Sequence, residues 1–184
     1  MIQKVIKRAK QELKYRIRKV IKPDVIEIDG VKLNINHPSI TDNLRDFFYN
    51  ESYEGQEVRV LEKVLDKNDR VFEIGAGIGF LSTYCAKKIE SDKVVAYEAN
   101  PQMIEKIKET YKLNNVNPTI NNIILIDKNG EISFYLEKDF WSSSMIKRSE
   151  NAKEIKTRTS NINNEIKKDD SNFLIIDIEG GKRV

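Results

Sequence analysis

The sequence predicts an α/β fold of the nucleotide-binding kind, on three observations. First, Val71, Phe72 and Ile74 form a short apolar run of strand formers, which Gly75, Gly77 and Gly79 then break. Second, Phe80, Leu81, Tyr84, Cys85 and Ala86 follow at roughly helical spacing. Third, another apolar run, Val94-Val-Ala-Tyr97, ends in an acid, Glu98. Strand, glycine turn, helix, strand is the opening unit of a parallel sheet covered by helices.

The glycines let the chain turn through backbone angles closed to residues with a Cβ, and let a ligand lie against bare backbone. The helix that begins there aims its free N–H groups at that ligand. A dinucleotide fingerprint is G-x-G-x-x-G with a pyrophosphate on the helix. Here the spacing is G-x-G-x-G, and Glu73 stands two residues before the first glycine. A carboxylate repels a pyrophosphate but attracts an ammonium or sulfonium. Glu98, at the tip of the second strand, is placed to accept hydrogen bonds from both hydroxyls of a ribose. Together these features predict S-adenosylmethionine as the ligand.

The other elements follow in order. Ile2, Val5, Ile6, Ala9, Leu13, Ile17, Val20 and Ile21 fall mostly on one face of a helix that Pro23 ends. Val25-Ile-Glu-Ile and Val31-Lys-Leu-Asn-Ile alternate across Asp29-Gly30, a hairpin signal. His37 precedes Pro38 in a turn and reads as a loop residue rather than a catalyst. Ile40 to Tyr53 is partly helical, and Glu57 to Leu65 is a helix. Asn100-Pro101 caps and starts a helix whose apolar face is Met103, Ile104, Ile107 and Tyr111. A third strand is expected within Ile120–Ile126 and a fourth over Ile132–Leu136. Residues 147–171 are polar and charged and read as a mobile surface segment with at most a short helix near Ile162–Ile166. Phe173–Ile178 is a buried-type strand carrying Asp177, followed by Glu179.

Charge is unevenly placed. Residues 1–22 hold nine basic residues and one acid, +8 against +3 for the whole chain, so the body is mildly acidic and a nucleic-acid partner is not expected. The basic amphipathic helix admits two readings: contact with an anionic membrane surface, or packing on the domain with its lysines solvated. Cys85 is the only cysteine, expected as a small buried residue, so no internal disulfide forms and a cytoplasmic location is expected. No run reaches the roughly 18 apolar residues of a membrane span, and no signal-peptide core precedes the domain.

From Tyr53-Glu54 onward the sequence resembles the FkbM-type S-adenosylmethionine-dependent methyltransferases. The pieces are Phe72-Glu-Ile-Gly-Ala-Gly-Ile-Gly79, Tyr97-Glu-Ala-Asn-Pro101, Leu113-Asn-Asn115, Trp141-Ser-Ser-Ser-Met145 and Ile176-Asp-Ile-Glu-Gly180. Members commonly have Asp where Glu73 stands and Pro where Ala99 stands. The resemblance implies a Rossmann-like sheet spanning 53–184, with 1–52 as helix, hairpin and connector. It also implies O-methylation of a hydroxyl on a glycan or related metabolite. Gly75, Gly77 and Gly79 would hold the amino-acid part of the cofactor, Glu73 its ammonium and Glu98 its ribose. Asp177 and Glu179 would face the transferring methyl.

Positions i and i+2 of an extended segment point the same way, so Asp177 and Glu179 could share a pocket. As a general base, either would assist attack by a hydroxyl. The pair could equally hold a divalent cation, or one of them could cap a turn or pair with a lysine. No dedicated metal site is expected. Trp141 and Ser142–Ser144 read either as part of an acceptor pocket or as a surface loop. The implied fold has three more strands after the Asp177 strand, whereas only Gly180–Val184 follows. A C-terminally truncated methyltransferase is therefore expected, with a partner chain as one way to complete the sheet. The alternative is a non-catalytic remnant or partner subunit that retains the cofactor half.

Overall fold

The computed structural model describes residues 2–38, 40–137 and 142–178. Helix α1 (Ile2–Ile21) leads into the hairpin of β1 (Val25–Ile28) and β2 (Val31–Asn34). Asp29 and Gly30 both have positive φ, 47° and 80°, the geometry of a two-residue type I′ turn. Helices α2 (Asp42–Tyr49) and α3 (Gly55–Val64) then precede β3 (Val71–Ile74), α4 (Phe80–Lys88) and β4 (Val94–Tyr97). Asn100 caps the next helix as its sequence predicts, its side chain accepting the Gln102 N–H at 3.0 Å. A single 3₁₀ turn leads from there into α5 (Ile104–Leu113).

The organising sheet is parallel, in the order β5-β4-β3-β9, with β5 Thr119–Asn121 and β9 Phe173–Ile176. The strand expected within Ile120–Ile126 is in fact two. Asn122 interrupts it, its Nδ2 donating to the carbonyls of Glu98 at 2.7 Å and Ala99 at 3.1 Å. The chain then enters a second sheet as β6 (Ile124–Ile126), parallel to β8 and separated by it from β7 (Gly130–Leu136).

The polar segment expected to be mobile holds a nine-residue strand, β8 (Lys153–Asn161), and a helix, α6 (Ile162–Asp169). β8 alternates: Ile155 is half-buried and Thr157 and Thr159 are buried, while Lys156 and Arg158 face water. Its register with β7 runs unbroken from Gly130↔Thr159 to Leu136↔Lys153.

One core joins the hairpin to the main sheet. Ile26, Ile28, Val31, Leu33 and Ile35 pack in the same cluster as Val71, Ala96, Met103 and Ile107. Each of these side chains except Ala96 contributes about 1.5–3 kcal/mol on burial. Asn114 pins the hairpin to α5 by pairing with both backbone groups of Lys32, at 2.9 and 2.8 Å. Cys85 is fully buried, as its sequence context predicts. Among the described residues β9 has only β3 as a neighbour, and Leu174 and Ile176 stay exposed.

Candidate cofactor and acceptor site

A cavity of about 400 Å³ opens at the carboxyl ends of β3, β4 and β9, where parallel sheets bind ligands. Gly75, Gly77, Glu73, Glu98 and Asp177 all line it. Gly79 does not. It caps α4 at φ 76° and packs on α5, where a Cβ would meet Ile107 Cγ2 at 3.0 Å and Tyr111 Cε1 at 3.1 Å. Its lack of a side chain serves helix–helix contact. Gly75 serves close approach, because a Cβ there would collide with the carbonyl of Asp177.

Glu98 is held by backbone. Its Oε2 accepts the Gly77 N–H at 2.8 Å and its Oε1 the Asn100 N–H at 2.8 Å. Burial nevertheless pushes its pKa up to about 7, against the lowering effect of those N–H donors. The bonds orient the carboxylate, and its remaining lone pairs stay available to hydroxyl donors.

Glu73 is 1% exposed. Ser82, itself receiving the Tyr111 hydroxyl at 2.9 Å, hydrogen-bonds its carboxyl group. Its Oε2 is buried without a hydrogen-bond partner. Burial raises its pKa to about 8; Ser82 opposes this, while Glu54, Glu98 and Asp177 add to it. An unsatisfied buried carboxylate oxygen on a ligand cavity calls for a cationic donor. The ammonium of S-adenosylmethionine would satisfy that oxygen, and its sulfonium would suit the surrounding carboxyl groups. The donor set fits that cofactor.

Across the cavity the structure adds Glu54, Tyr53 and an apolar wall, none with a site role in the sequence reading, and brings in part of the serine run that has one. Glu54 precedes α3 in the left-handed region, φ 51°, and lines the cavity. Burial raises its pKa to about 8, with Asp177 and Glu57 adding. Tyr53 stacks edge-on against Phe80 at 5.6 Å. Leu44, Phe47, Leu125, Phe134 and Met145 complete an apolar wall. Ser143 and Ser144 reach the cavity, Ser144 through a two-way backbone pairing with Tyr135 at 2.9 and 3.1 Å. Trp141 and Glu179 lie outside the described residues. None of the described lining residues is Lys or Arg. Among the described residues no cluster of three or more His, Cys, Asp or Glu is arranged to hold a metal ion.

Residues 39–139, from the approach to α2 through β7, match the TRM5/TYW2 methyltransferase domain. The chain belongs to the TRM5/TYW2 methyltransferase domain family. A domain of this family is of the S-adenosylmethionine-dependent type, in accord with the cavity. A Methanocaldococcus jannaschii protein described as a protein N5-glutamine methyltransferase is 38% identical over 94 residues, 50% of this chain and 42% of that one. The ribosomal protein L11 methyltransferase of Bacillus velezensis is 37% identical over 62 residues, 34% of this chain and 20% of that one. The chain thus matches less than half the length of either relative. Among solved structures, the Pyrococcus abyssi tRNA (uracil-54, C5)-methyltransferase with S-adenosyl-L-homocysteine is similar. Its TM-score is 0.39 at 16% identity, over 57% of this chain and 28% of that one.

Proposed function

We propose that this chain is an S-adenosylmethionine-dependent methyltransferase acting on an uncharged hydroxyl, of a glycan or related metabolite, in the manner of the FkbM-type enzymes it resembles. One observation carries the reading: the partnerless, buried Glu73 Oε2 shares a cavity with the backbone-fixed Glu98 and with Asp177. The bound cofactor supplies an activated methyl on a sulfonium. The protein positions the reactants around it.

Glu73 binds the ammonium end and Glu98 the ribose. Asp177 stands at the cavity where β9 ends, its N–H bonded to the Ile74 carbonyl at 3.0 Å. A carboxylate there accepts the acceptor's hydroxyl proton as its oxygen attacks, an effect worth roughly 10²–10⁴-fold. The apolar wall holds the body of the acceptor and keeps water away from the reacting oxygen.

A second reading is favoured by the family and by the glutamine methyltransferase relative: an acceptor that is a protein side chain or an RNA base. The ionisable carboxyl groups of the lining come with no Lys or Arg, so the cavity offers an RNA's phosphates no cation, which supports a metabolite or protein over an RNA. Incubation with tritiated S-adenosylmethionine and separate RNA, protein and small-molecule fractions of a cell extract distinguishes these. Label in the small-molecule fraction, volatile only after ether cleavage, is the expected result. Label confined to RNA or protein overturns the hydroxyl reading and leaves the cofactor site standing.

A further inference from the structure

Helix α1 docks on the body by its polar side. Gln11, Tyr15 and Arg18, spaced i, i+4, i+7, are half-buried against the domain. Gln11 Nε2 donates to the Asn50 carbonyl at 2.5 Å and Arg18 Nη1 to the Tyr49 carbonyl at 3.1 Å. Lys14 and Arg18 pair with Glu51 at 3.0 and 3.1 Å, and Lys19 with Asp46 at 2.7 Å. Both sequence readings of the helix placed its apolar stripe against an apolar phase. The body does not supply that phase, because the stripe faces outward.

Ile6, Leu13, Ile17 and Val20 share the opposite side of the cylinder and are 49%, 60%, 46% and 83% exposed. Exposed Lys10 and Arg16 border the stripe on either side. A continuous apolar stripe on the outside of a helix marks a contact surface. We infer that this face of α1 lies on an anionic lipid surface, its apolar residues in the acyl–headgroup boundary and its basic residues at the headgroups.

The choice of occupant follows from charge. Residues 1–22 carry +8, and the pairing of Glu51 and Asp46 with the docked side leaves about +6 (8 − 2), which complements an anionic bilayer. A second copy seated on the stripe would bring two such segments together, and like charges oppose it. A nucleic acid would complement the charge but would leave the apolar residues in water. Among the described residues no helix is long and apolar enough to cross a membrane, so the contact is peripheral.

The test is flotation of the whole chain with vesicles of phosphatidylcholine alone or with a quarter phosphatidylserine. Three variants accompany the wild type: L13D/I17D, K10E/K22E, and D46N as a control on the docked side. All these positions are on the surface, and circular dichroism checks their folding. Binding to the phosphatidylserine vesicles is expected, weakened at least tenfold by L13D/I17D, several-fold by K10E/K22E and by raised salt, and little changed by D46N. No flotation of the wild type, or flotation that L13D/I17D leaves unchanged, overturns the inference. So does a solution mass of twice the chain that L13D/I17D halves, which would assign the stripe to a second copy.

Discussion

The two walls of the cavity are built in opposite ways. The cofactor wall comes from one continuous stretch, β3 to the start of α5. Its polar groups are buried and oriented by backbone or by a short relay, Tyr111 to Ser82 to Glu73. The wall proposed for the acceptor is gathered from α2, the turn before α3, β6, β7, Ser143–Met145 and the end of β9. Several of its members, Phe47, Met145 and Ile178, are exposed. A ligand common to a whole class of proteins can be met by local geometry, whereas a particular acceptor is met by long-range assembly. Mutations should therefore separate cleanly: the first wall should govern affinity for the cofactor and the second the rate of transfer.

Gly75→Ala should break the comparison most severely, because one residue joins the walls. Its φ of 89° is costly for alanine, and the new Cβ would collide with the Asp177 carbonyl. Calorimetry should detect no cofactor binding, and the thermal midpoint should fall by at least about 5 °C. Asp177→Asn should act on the second wall alone, lowering turnover by roughly 10²–10⁴-fold. Its dissociation constant for S-adenosylmethionine should stay within about threefold of wild type.

The pH dependence of binding sharpens the first wall. The folded, ligand-free protein holds protons on Glu73 (about 8), Glu54 (about 8) and Glu98 (about 7), all raised from 4.5. The stability tied to those raised values is complete below pH 4.5 and is lost as pH climbs through 7 to 8. A cationic ligand prefers the ionised carboxylates, so affinity should rise about tenfold from pH 6 toward 8 with release of protons. It should then fall as the free ammonium, of ordinary pKa about 7.7–8.0, deprotonates. Titrations in buffers of different ionisation enthalpy read both. Glu73→Gln should flatten the rising limb; an unchanged limb would remove Glu73 from the cation site.

The frame is expected to respond without disturbing either wall. Asn114→Ala strands both backbone groups of Lys32 and should cost about 1–3 kcal/mol in urea unfolding, with cofactor affinity unchanged. Glu51→Gln, in the turn after α2 where it pairs with Lys14 and Arg18 of α1, should lower the thermal midpoint by no more than a few degrees.

The same contrast explains what the sequence disclosed. The hairpin, the glycine turn, Glu73 and Glu98 are legible because each depends on neighbours within a few residues: Asp29-Gly30 sets the turn, and Gly77 directly meets Glu98. β8 is missed because its inward residues are mostly threonines, Thr157 and Thr159, whose alternation carries little hydrophobic signal beside Lys156 and Arg158. The split of β5 from β6 hangs on Asn122 reaching carbonyls on a different strand end, which no local pattern records. Glu54 enters the site only because its backbone turns left-handed before α3. The outward aim of the α1 stripe depends on Glu51 and Asp46, more than 25 residues away in the chain.

The most direct measurement is calorimetric titration of the purified chain with S-adenosylmethionine, beside the Glu98→Ala variant. The account predicts micromolar binding by the wild type, weakened at least tenfold by Glu98→Ala, with both proteins folded by circular dichroism. A folded wild type that does not bind, or equal binding by the two, would contradict the assignment of the cavity to the methyl donor.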